Sequence, residues 1–383
     1  MDKPTVQDIF HRFYLAYLDQ YSPSPVQAKV AHNIMNCKTG AYGANVCVCE
    51  DCGFIQIHYN SCRNRCCPMC QAVPKEMWMD ARREYVLDAP YFHLVFTVPD
   101  ILNPVIYSNQ RLLYDALYHA ASSTISELTA DPKHLGAKVG YICILHTWGS
   151  EMNFHPHIHT VLLGGGLASN NQWRDNGENF FLPIRVISKV FRGKYLEELK
   201  RLWEEDKLVF HGTAEKFRNH YTFKELLDSC YGMDWIPHCK KTFNGAQTVI
   251  KYLGKYTHRI AVSNHRIVRM DDDTVTFLVK DYRNEGQWKE LTISGVEFVR
   301  RFLMHVPPRR FVRIRHYGLL CSRTKSQKLT LCRNLLGCKK YLSKLRDMEM
   351  PEILEHLYGI KVCVCKACGG HLGKPQMKMP LRC

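Results

Sequence analysis

The sequence has 383 residues, of which 46% are hydrophobic and 23% charged, as is typical of a globular protein with about two or three domains. Lys and Arg number 52 against 36 Asp and Glu, and this net charge of +16 favours a polyanionic partner. No apolar run reaches the roughly 18 residues of a membrane span, and the start MDKPTVQDIF lacks the apolar core of a signal peptide, so we expect a soluble, cytoplasmic protein with no membrane partner.

The hydrophobic pattern predicts helices and strands in mixed order along the chain. Predicted helices cover residues 5–35 with a break at SPSP, 73–88, 103–128, parts of 167–235, 245–261 and GVEFVRRFLMHV. Predicted strands cover residues 91–99, 139–149, 155–166, RIVRMDDDTVTFLVKDY and WKELTIS, the last two as antiparallel hairpins.

Two C-x2-C pairs near the N-terminus indicate a zinc site. Cys49 and Cys52 form the first pair, and Cys67 and Cys70 form the second after fourteen intervening residues. This spacing is typical of a zinc ribbon, in which four thiolates hold one ion. Disulfides are the alternative, but they require an oxidising compartment. We therefore expect these four cysteines to share one structural Zn²⁺.

The remaining clustered cysteines indicate up to two more structural zinc ions. The candidate ligands of a second zinc are Cys37, Cys62 and Cys66. Its fourth ligand is left open between Cys47 and His58. Near the C-terminus, Cys365 and Cys368 form another C-x2-C pair and predict a third zinc. Further potential ligands near that pair are Cys363, His371 and Cys383.

A strand-like segment, FHPHIHTVL, carries three histidines at alternate positions: His155, His157 and His159. Alternate residues of a strand share a face, so two of these imidazoles can bind one divalent cation. Ile158 and Val161 are expected on the opposite, core side. His146 ends the preceding strand, and a short turn would bring it beside the pair as a third ligand, with His155 as the alternative. A polar stripe on an edge strand is the simpler interpretation.

The segment KYLGKYTHR places Tyr252 and Tyr256 four residues apart, on one face of a predicted helix. Taken alone, this spacing is more typical of packed rings than of catalysis. A phenol has a pKa of about 10 and is a weak nucleophile at neutral pH unless it is activated. Lys255, His258 and Arg259 could stabilise a phenolate or a phosphate.

The positive charge is concentrated between Arg300 and Arg346. This segment holds 14 Lys and Arg and no Asp or Glu, which is nearly the whole excess of 16. In PPRRFVRIRHYG basic and aromatic residues interleave, and such a pattern suits phosphates and unpaired bases. The predicted DNA-binding residues here are Arg309, Arg310, Arg313 and Arg315.

HIH is an H-U-H motif, where U is a hydrophobic residue. With this motif and the tyrosine pair, the chain resembles the two-tyrosine HUH rolling-circle transposases of bacterial insertion sequences, of the insertion-sequence ninety-one type. Blocks that occur in the family's order are CxxCG, YNSCRNRCCPMCQ, YFHLVFTVP, LHTWG, HPHIH, KYLGKYTHRIAVSNHRI, VTFLVKDYR, EFVRRFLMHV and FVRIRHYGLL. The family usually has His at the position of Cys66.

The resemblance implies an α+β fold with an HUH-endonuclease core, which is an antiparallel sheet with flanking helices. An N-terminal zinc-ribbon-like module and a small C-terminal cysteine-rich tail would flank it. The expected divisions are a zinc-binding module at 1–85, a nuclease core at 86–262 with a partly helical insertion at about 167–235, hairpins and a basic helix at 263–320, and a basic tail at 321–383.

The resemblance also implies a chemistry. His157 and His159 match the HUH ligands of Mg²⁺ or Mn²⁺, and Tyr252 and Tyr256 match the nucleophiles, which attack DNA to leave a 5′-phosphotyrosine and a free 3′-hydroxyl. Lys255 and Arg259 would contact the DNA. The expected partner is single-stranded or hairpin DNA at transposon ends and target, in a nucleoid-associated protein that could form homo-oligomers.

Four other functions are weighed against this one. An HUH replication initiator or a relaxase would use the same chemistry without moving a DNA segment. A non-catalytic zinc-binding regulator would explain the cysteines and the charge, but not the order of the HUH and tyrosine motifs. An amidohydrolase-type metallohydrolase also uses His-x-His, but it needs eight strand–helix units, and the hairpins after residue 262 argue against that fold.

Overall fold

The computed structural model describes residues 3–176, 182–235, 238–243, 254, 260–281, 286–374 and 376–378. Its α-helices are α1 Val6–Gln20, α2 Pro25–Met35, α3 Ala72–Arg83, α4 Asn103–Ser108, α5 Gln110–Ala130, α6 Ile184–Glu204, α7 His220–Gly232, α8 Gly295–Met304, α9 Lys325–Leu336 and α10 Met350–Tyr358. Its strands are β1 Ala44–Val48, β2 Ile55–Tyr59, β3 Tyr91–Thr97, β4 Lys138–Trp148, β5 Phe154–Leu167, β6 Trp173–Asp175, β7 His238–Phe243, β8 Ile267–Met270, β9 Thr274–Asp281, β10 Gln287–Ser294, β11 Ile314–Gly318 and β12 Gln376–Lys378.

The first two helices begin where the sequence supplies capping residues. Thr5 and Asp8 form a reciprocal capping box at the start of α1, and Ser24 and Gln27 form another at the start of α2. Pro25 stands at the first position of α2, where a missing N–H costs nothing. The predicted break at SPSP is therefore confirmed.

A central antiparallel sheet carries the histidine strands, in the order β11-β4-β5-β3-β7, with β6 also paired to β5. Strands β4 and β5 form a long hairpin in which His146 lies opposite His157. On the other side of β5, Val95 of β3 lies opposite His159. The expected α+β fold is confirmed, and the centre of its sheet presents the histidines.

The two faces of the central sheet pack against different helices. On one face, Ile158 and Leu162 join the main apolar core, which the sheet forms with α5, α6 and α7. On the other face, Val161 and Leu163 join a smaller core with residues of α3 and α9. Val161 therefore lies on the histidine face, and its predicted place on the side of Ile158 is wrong because the two positions differ by an odd number of residues.

Two smaller sheets complete the described structure. Strands β8, β9 and β10 form an antiparallel meander that packs with α1, α2 and α8 into a further apolar core. Strands β1 and β2 form a hairpin whose free edge pairs with β12, near the end of the chain. None of the helices in the described ranges combines the length and apolar character that a membrane crossing requires.

Candidate metal centre and nucleic-acid cleft

Three imidazoles converge beside the turn of the β4–β5 hairpin. His146, His157 and His159 each offer a ring nitrogen, and these nitrogens all lie within 4.8 Å of one another. The Nε2 atoms of His157 and His159 are 3.1 Å apart. Nitrogens bound 2.0–2.1 Å from one cation at near right angles are separated by about 3 Å. The three side chains therefore have the spacing of a metal-binding triad.

Hydrogen bonds orient two of these rings toward the common point. His157 Nδ1 lies 2.7 Å from the carbonyl oxygen of His155. Since a carbonyl only accepts, Nδ1 carries the proton and Nε2 keeps its lone pair. His159 Nδ1 lies 2.9 Å from Nε2 of His93, so His93 can accept the corresponding proton of His159. Outer hydrogen bonds of this kind are what fixes the tautomer of a metal-ligating histidine.

Burial keeps His157 and His159 in the neutral form that binds metals. Desolvation, and then the neighbouring His155, lower the pKa of His157 to about 3. Desolvation and the facing His146 and His157 likewise lower the pKa of His159 well below 6.5. Neutral imidazoles are therefore available throughout the physiological range.

The third predicted ligand was left open between His146 and His155, and the structure brings His146 to the pair. The His146 ring also stacks on Trp148, with centroids 4.4 Å apart. His155 instead turns toward Asp100, with Nδ1 and Oδ1 3.3 Å apart. It lies outside the cluster of three nitrogens.

The triad opens into a cleft of about 540 Å³ between the central sheet and the β8–β10 meander. The meander contributes Lys280 and Trp288, and the turn before β8 contributes Arg266. Arg266 is buried and donates to the carbonyls of Leu278 and Ser150, both at 2.6 Å, so it joins the meander to the hairpin turn. Trp288 remains 54% exposed, with the Lys280 ammonium 5.3 Å from its ring centre. The cleft thus presents a cation and an aromatic surface beside the histidines.

A second cavity, of about 410 Å³, adjoins the loop of the zinc-binding module. Its lining includes Arg65, Lys75, Gly254 and His265, and His265 also lines the histidine cleft. Gly254 packs closely on α3, where a Cβ atom would lie 3.3 Å from Cε of Lys75. The predicted nucleophiles and their basic neighbours lie outside the described residues: Tyr252, Tyr256, Lys255, His258 and Arg259.

The first cysteine cluster consists of Cys37, Cys62, Cys67 and Cys70. Cys37 follows α2, and the other three lie in the loop that precedes α3. The sulfurs of Cys62 and Cys70 are 3.8 Å apart. Hydrogen bonds, first from Cys62, lower the pKa of Cys37 to about 7, and those from Cys37 and Cys62 lower the pKa of Cys70 well below 9. Four thiols at this spacing match a tetrahedral zinc site.

The predicted grouping of the N-terminal pairs is wrong. Cys67 and Cys70 meet the thiols that were assigned to a separate second zinc, whereas Cys49 and Cys52 meet Cys365 and Cys368 of the C-terminal tail. The sequence predicted two zinc sites near the N-terminus and a third near the C-terminus. The described residues instead form two four-thiol clusters. The reason is tertiary: every C-x2-C pair offers the same half-site, and the chain path decides which two halves meet.

The remaining candidates for these zinc sites lie outside both clusters. Cys66 is buried beside Arg65 and Arg313, and desolvation raises the pKa of its thiol. Its assignment to a second zinc site is therefore corrected. The candidate fourth ligands Cys47 and His58, and the tail residues Cys363 and His371, do not join either cluster, and Cys383 lies outside the described residues.

The predicted DNA-binding arginines divide into two kinds. Arg309 and Arg310 are exposed at a turn before β11. Arg313 is buried, and desolvation lowers its pKa. Arg315 is half-buried, pairs with Asp115 and stacks 4.0 Å from the ring centre of Tyr118. Burial argues against a DNA contact by Arg313, which lies immediately before β11, and Arg315 is engaged within the fold.

Four residues of the site were not singled out from the sequence: His93, Arg266, Lys280 and Trp288. His93 interrupts an otherwise apolar strand, YFHLVFT, and it lies at the alternate-residue spacing of the histidine face. Trp288 stands in a polar strand, QWKELTIS, where an exposed aromatic is unusual. These two signals were present in the sequence, but Arg266 and Lys280 could not be told from other basic residues.

Two family models match the chain. Residues 140–328 match a family described as "Putative transposase", and residues 9–98 match one described as "Transposase zinc-binding domain". The first range contains His146, His157 and His159, and the second contains the first cysteine cluster. Residues 365 and 368 lie outside both matched ranges.

Two curated relatives are similar over most of the chain. "Putative transposase y4qJ" of Sinorhizobium fredii is 40% identical over 369 residues, which cover 95% of this chain and 93% of the relative. "Transposase for insertion sequence element IS801" of Pseudomonas savastanoi pv. phaseolicola is 29% identical over 309 residues, which cover 79% of this chain and 72% of the relative.

Solved structures of the conjugative relaxase TrwC in complex with oriT DNA are more distantly similar. The metal-free structure has a TM-score of 0.25 and 14% identity, and the match covers 43% of this chain and 71% of that one. The metal-bound structure has a TM-score of 0.25 and 15% identity, over 43% and 70% of the two chains.

Proposed function

The chain belongs to the transposase family of insertion sequences of the ninety-one type, with an N-terminal transposase zinc-binding domain, and on this premise we propose that it cuts and rejoins single-stranded DNA with a tyrosine nucleophile and a divalent cation. Family membership supports a DNA endonuclease and strand transferase. What we propose beyond family membership is the rolling-circle chemistry and the residues that perform it.

The observation that carries the proposal is the convergence of His146, His157 and His159 at the wall of an open cleft. Buried histidines in a structural role are usually enclosed by their partners. Here the ring nitrogens meet where a solvent-filled space of about 540 Å³ can admit a phosphodiester. Three neutral imidazoles are good ligands for a divalent transition metal, and they also accept Mn²⁺ or Mg²⁺ when phosphate oxygens complete the shell.

The histidine ligands fit such a cation because the Nδ1 protons of His157 and His159 point away from the place where the three rings meet. His157 donates its Nδ1 proton to a carbonyl, and His159 faces His93 through Nδ1, so both Nε2 atoms remain available. When bound, the cation would polarise the phosphodiester and offset negative charge in the transition state. The protein residues would hold the scissile phosphate in place and exclude competing water.

We assign the nucleophiles to Tyr252 and Tyr256. The phenol oxygen would attack phosphorus as it loses its proton, the bond from phosphorus to the 3′ oxygen would break, and that oxygen would take up a proton. The products are a 5′-phosphotyrosine and a 3′-hydroxyl. Because the phosphodiester energy is kept, rejoining needs no nucleotide cofactor, and a second tyrosine permits a second cleavage. Gly254, which lies between them in sequence, lines a cavity that shares His265 with the histidine cleft.

The path of the DNA would follow the exposed cations and rings around the triad. Trp288 and Lys280 face the cleft on one side. An aromatic ring can stack on an unpaired base regardless of its identity, and a lysine can neutralise the adjoining phosphate. The exposed Arg309 and Arg310 extend the positive surface toward the zinc-binding loop, where Arg65 donates to the carbonyl of Phe311. A single strand suits this arrangement better than a duplex, whose bases are already stacked.

A nicking assay on labelled single-stranded DNA tests the proposal. Wild type should cleave with Mn²⁺ or Mg²⁺ and should lose activity with a chelator. His157→Ala and His159→Ala should each reduce cleavage by at least about 100-fold, because each removes one of three metal ligands. His119→Ala is the matched control, since His119 is exposed on α5, and it should cleave like wild type.

The proposal fails if both triad variants retain wild-type cleavage, or if wild type binds DNA tightly but leaves it intact under every metal condition. The second result would identify a non-catalytic zinc-binding regulator. A substrate that carries a DNA segment between two transposon ends separates transposition from the related chemistries: a replication initiator or a relaxase would nick it without transferring the segment.

A further inference from the structure

Two cysteine pairs from opposite ends of the chain form one four-sulfur cluster. Cys49 and Cys52 come from the N-terminal module, and Cys365 and Cys368 come from the C-terminal tail. The sulfurs of Cys49 and Cys368 are 3.5 Å apart, and those of Cys52 and Cys365 are 3.8 Å apart. Sulfurs bound 2.3 Å from a central ion in a tetrahedron lie about 3.8 Å from one another. A disulfide would require about 2.05 Å, so this spacing is that of metal ligands.

The two halves of the cluster have the same backbone geometry. In the first half, Cys49 N–H donates to Phe54 O at 2.9 Å and Gly53 N–H donates to Cys49 O at 3.0 Å. In the second half, Cys365 N–H donates to Gly370 O at 2.8 Å and Gly369 N–H donates to Cys365 O at 2.9 Å. Both sequences read C-x2-C-G, and the glycines have φ values of +70° and +77°, which favour glycine. Each half is therefore the same tight loop.

Main-chain N–H groups also point at the sulfurs of the tail. Ala367 N–H lies 3.4 Å from Cys365 Sγ, and Gly370 N–H lies 3.4 Å from Cys368 Sγ. Donors directed at sulfur stabilise the negative charge of a thiolate, which is the form that binds metal. Four thiolates in a tetrahedron are a standard ligand set of structural zinc.

Within the described ranges, few contacts besides the cluster join residues 363–378 to the β1–β2 hairpin. Strand β12 adds to the edge of β1, Glu50 N–H donates to His371 O at 3.1 Å, and Gly373 N–H donates to Val48 O at 2.9 Å. The buried apolar cluster at this junction contains Cys47, Cys49, Cys365 and Leu372. A core of this size cannot offset the entropy of ordering both segments, so the junction needs a further source of stability.

We propose that Cys49, Cys52, Cys365 and Cys368 bind a structural Zn²⁺ that fastens the C-terminal tail to the N-terminal module. The zinc ribbon is then completed by residues more than 300 positions away in sequence, outside the matched zinc-binding domain at 9–98. The zinc would give the tail a second attachment to the module. The first attachment is Asp80 of α3, whose carboxylate accepts hydrogen bonds from Ser343 Oγ at 2.6 Å and from the N–H of Leu345 at 2.9 Å. With the zinc in place, the chain would run from the zinc-binding module through the basic region and be fastened to the module again at its C-terminal end.

Zinc content per chain tests the assignment in the full-length protein. Wild type, dialysed against a chelator too weak to strip thiolate zinc, should hold about two zinc ions, one for each four-thiol cluster. Cys365→Ser/Cys368→Ser should hold about one, and Cys49→Ser/Cys52→Ser should also hold about one. The quadruple variant should hold the same number as either double variant, because all four residues serve a single ion. Cys363→Ser is the matched control and should keep both ions, since Cys363 is an exposed tail cysteine outside the cluster.

Hydrogen exchange of the same proteins gives a second measure. In Cys365→Ser/Cys368→Ser we expect faster exchange at residues 44–48 and 364–373, while the β4–β5 hairpin exchanges as in wild type. An unchanged zinc content in this variant would overturn the proposal, as would a zinc loss in the quadruple variant equal to the sum of the losses in the two doubles. If the hairpin also exchanged faster, the variant would be globally unfolded, and the exchange data would contradict a role confined to the tail.

Discussion

Nε2 of His93 lies 2.9 Å from Nδ1 of His159, and the two rings are nearly parallel, with centroids 5.2 Å apart. His93 thus stands directly behind one of the three candidate metal ligands, on the neighbouring strand. For His159 to present its Nε2 lone pair to a cation, its Nδ1 must carry the proton, and His93 must accept it. His93 is therefore a positioning residue for His159.

We predict that His93→Ala weakens Mn²⁺ binding by about 10–100-fold, the range typical of partners behind a ligating histidine. His93→Gln should recover much of the affinity, because the amide oxygen can accept the same proton. Direct titration of bound Mn²⁺ by electron paramagnetic resonance gives the affinity without DNA or turnover. Equal affinity for wild type and His93→Ala would show that His93 does not position the ligand.

A second buried histidine connects the hairpin turn to α8. His305 Nε2 lies 3.0 Å from the carbonyl oxygen of Met152, and its Nδ1 lies 3.1 Å from the hydroxyl of Thr147. Since the carbonyl only accepts, Nε2 carries the proton and Nδ1 accepts from Thr147. Protonation of Nδ1 would require the Thr147 hydroxyl to rotate and accept instead of donate. Burial lowers the pKa of His305 from 6.5 to about 4, partly opposed by the bond to Met152.

The pH dependence of stability follows from this shift. Between pH 4 and 6.5 the His305 imidazole is protonated in the unfolded chain and neutral in the folded chain. The free energy of unfolding should therefore rise with pH across this window, with His305 contributing up to ~1.4 kcal/mol per pH unit. In His305→Gln this contribution should disappear, whereas His119→Ala should keep the wild-type slope. Urea unfolding at several pH values measures the slopes, and equal slopes for wild type and His305→Gln would contradict the assignment.

Much of the histidine site could be predicted from sequence because it is local. The alternation of His155, His157 and His159 sets a common face, and the short turn after His146 sets the hairpin register. The pairing of cysteine loops could not be predicted in this way, since all C-x2-C half-sites look alike and their partners depend on the whole chain path. The burial of Arg313 has a similar origin: it lies immediately before β11, and whether that position is covered depends on the elements that pack against it.

Trp288 offers a test of the DNA path that leaves the metal site intact. We predict that Trp288→Ala weakens binding of single-stranded DNA by ~1–3 kcal/mol, the loss expected for one stacked base, with unchanged Mn²⁺ affinity. Fluorescence anisotropy with a labelled oligonucleotide measures the loss. Tyr221→Ala is the matched control, because Tyr221 is a 76% exposed ring on α7. Comparable losses in both variants would mean that the effect is not specific to the cleft.

The central claim is that a tyrosine of the KYLGKY segment becomes covalently joined to DNA with the help of the histidine site. The most direct measurement is the covalent adduct between the full-length protein and 5′-truncated, 3′-labelled single-stranded DNA, located by mass spectrometry of the joined peptide. We predict a phosphodiester link at Tyr252 or Tyr256, no adduct in Tyr252→Phe/Tyr256→Phe, and loss of the adduct in His157→Ala/His159→Ala. An adduct that persists in the double tyrosine variant, or one that maps to another residue, would contradict this account.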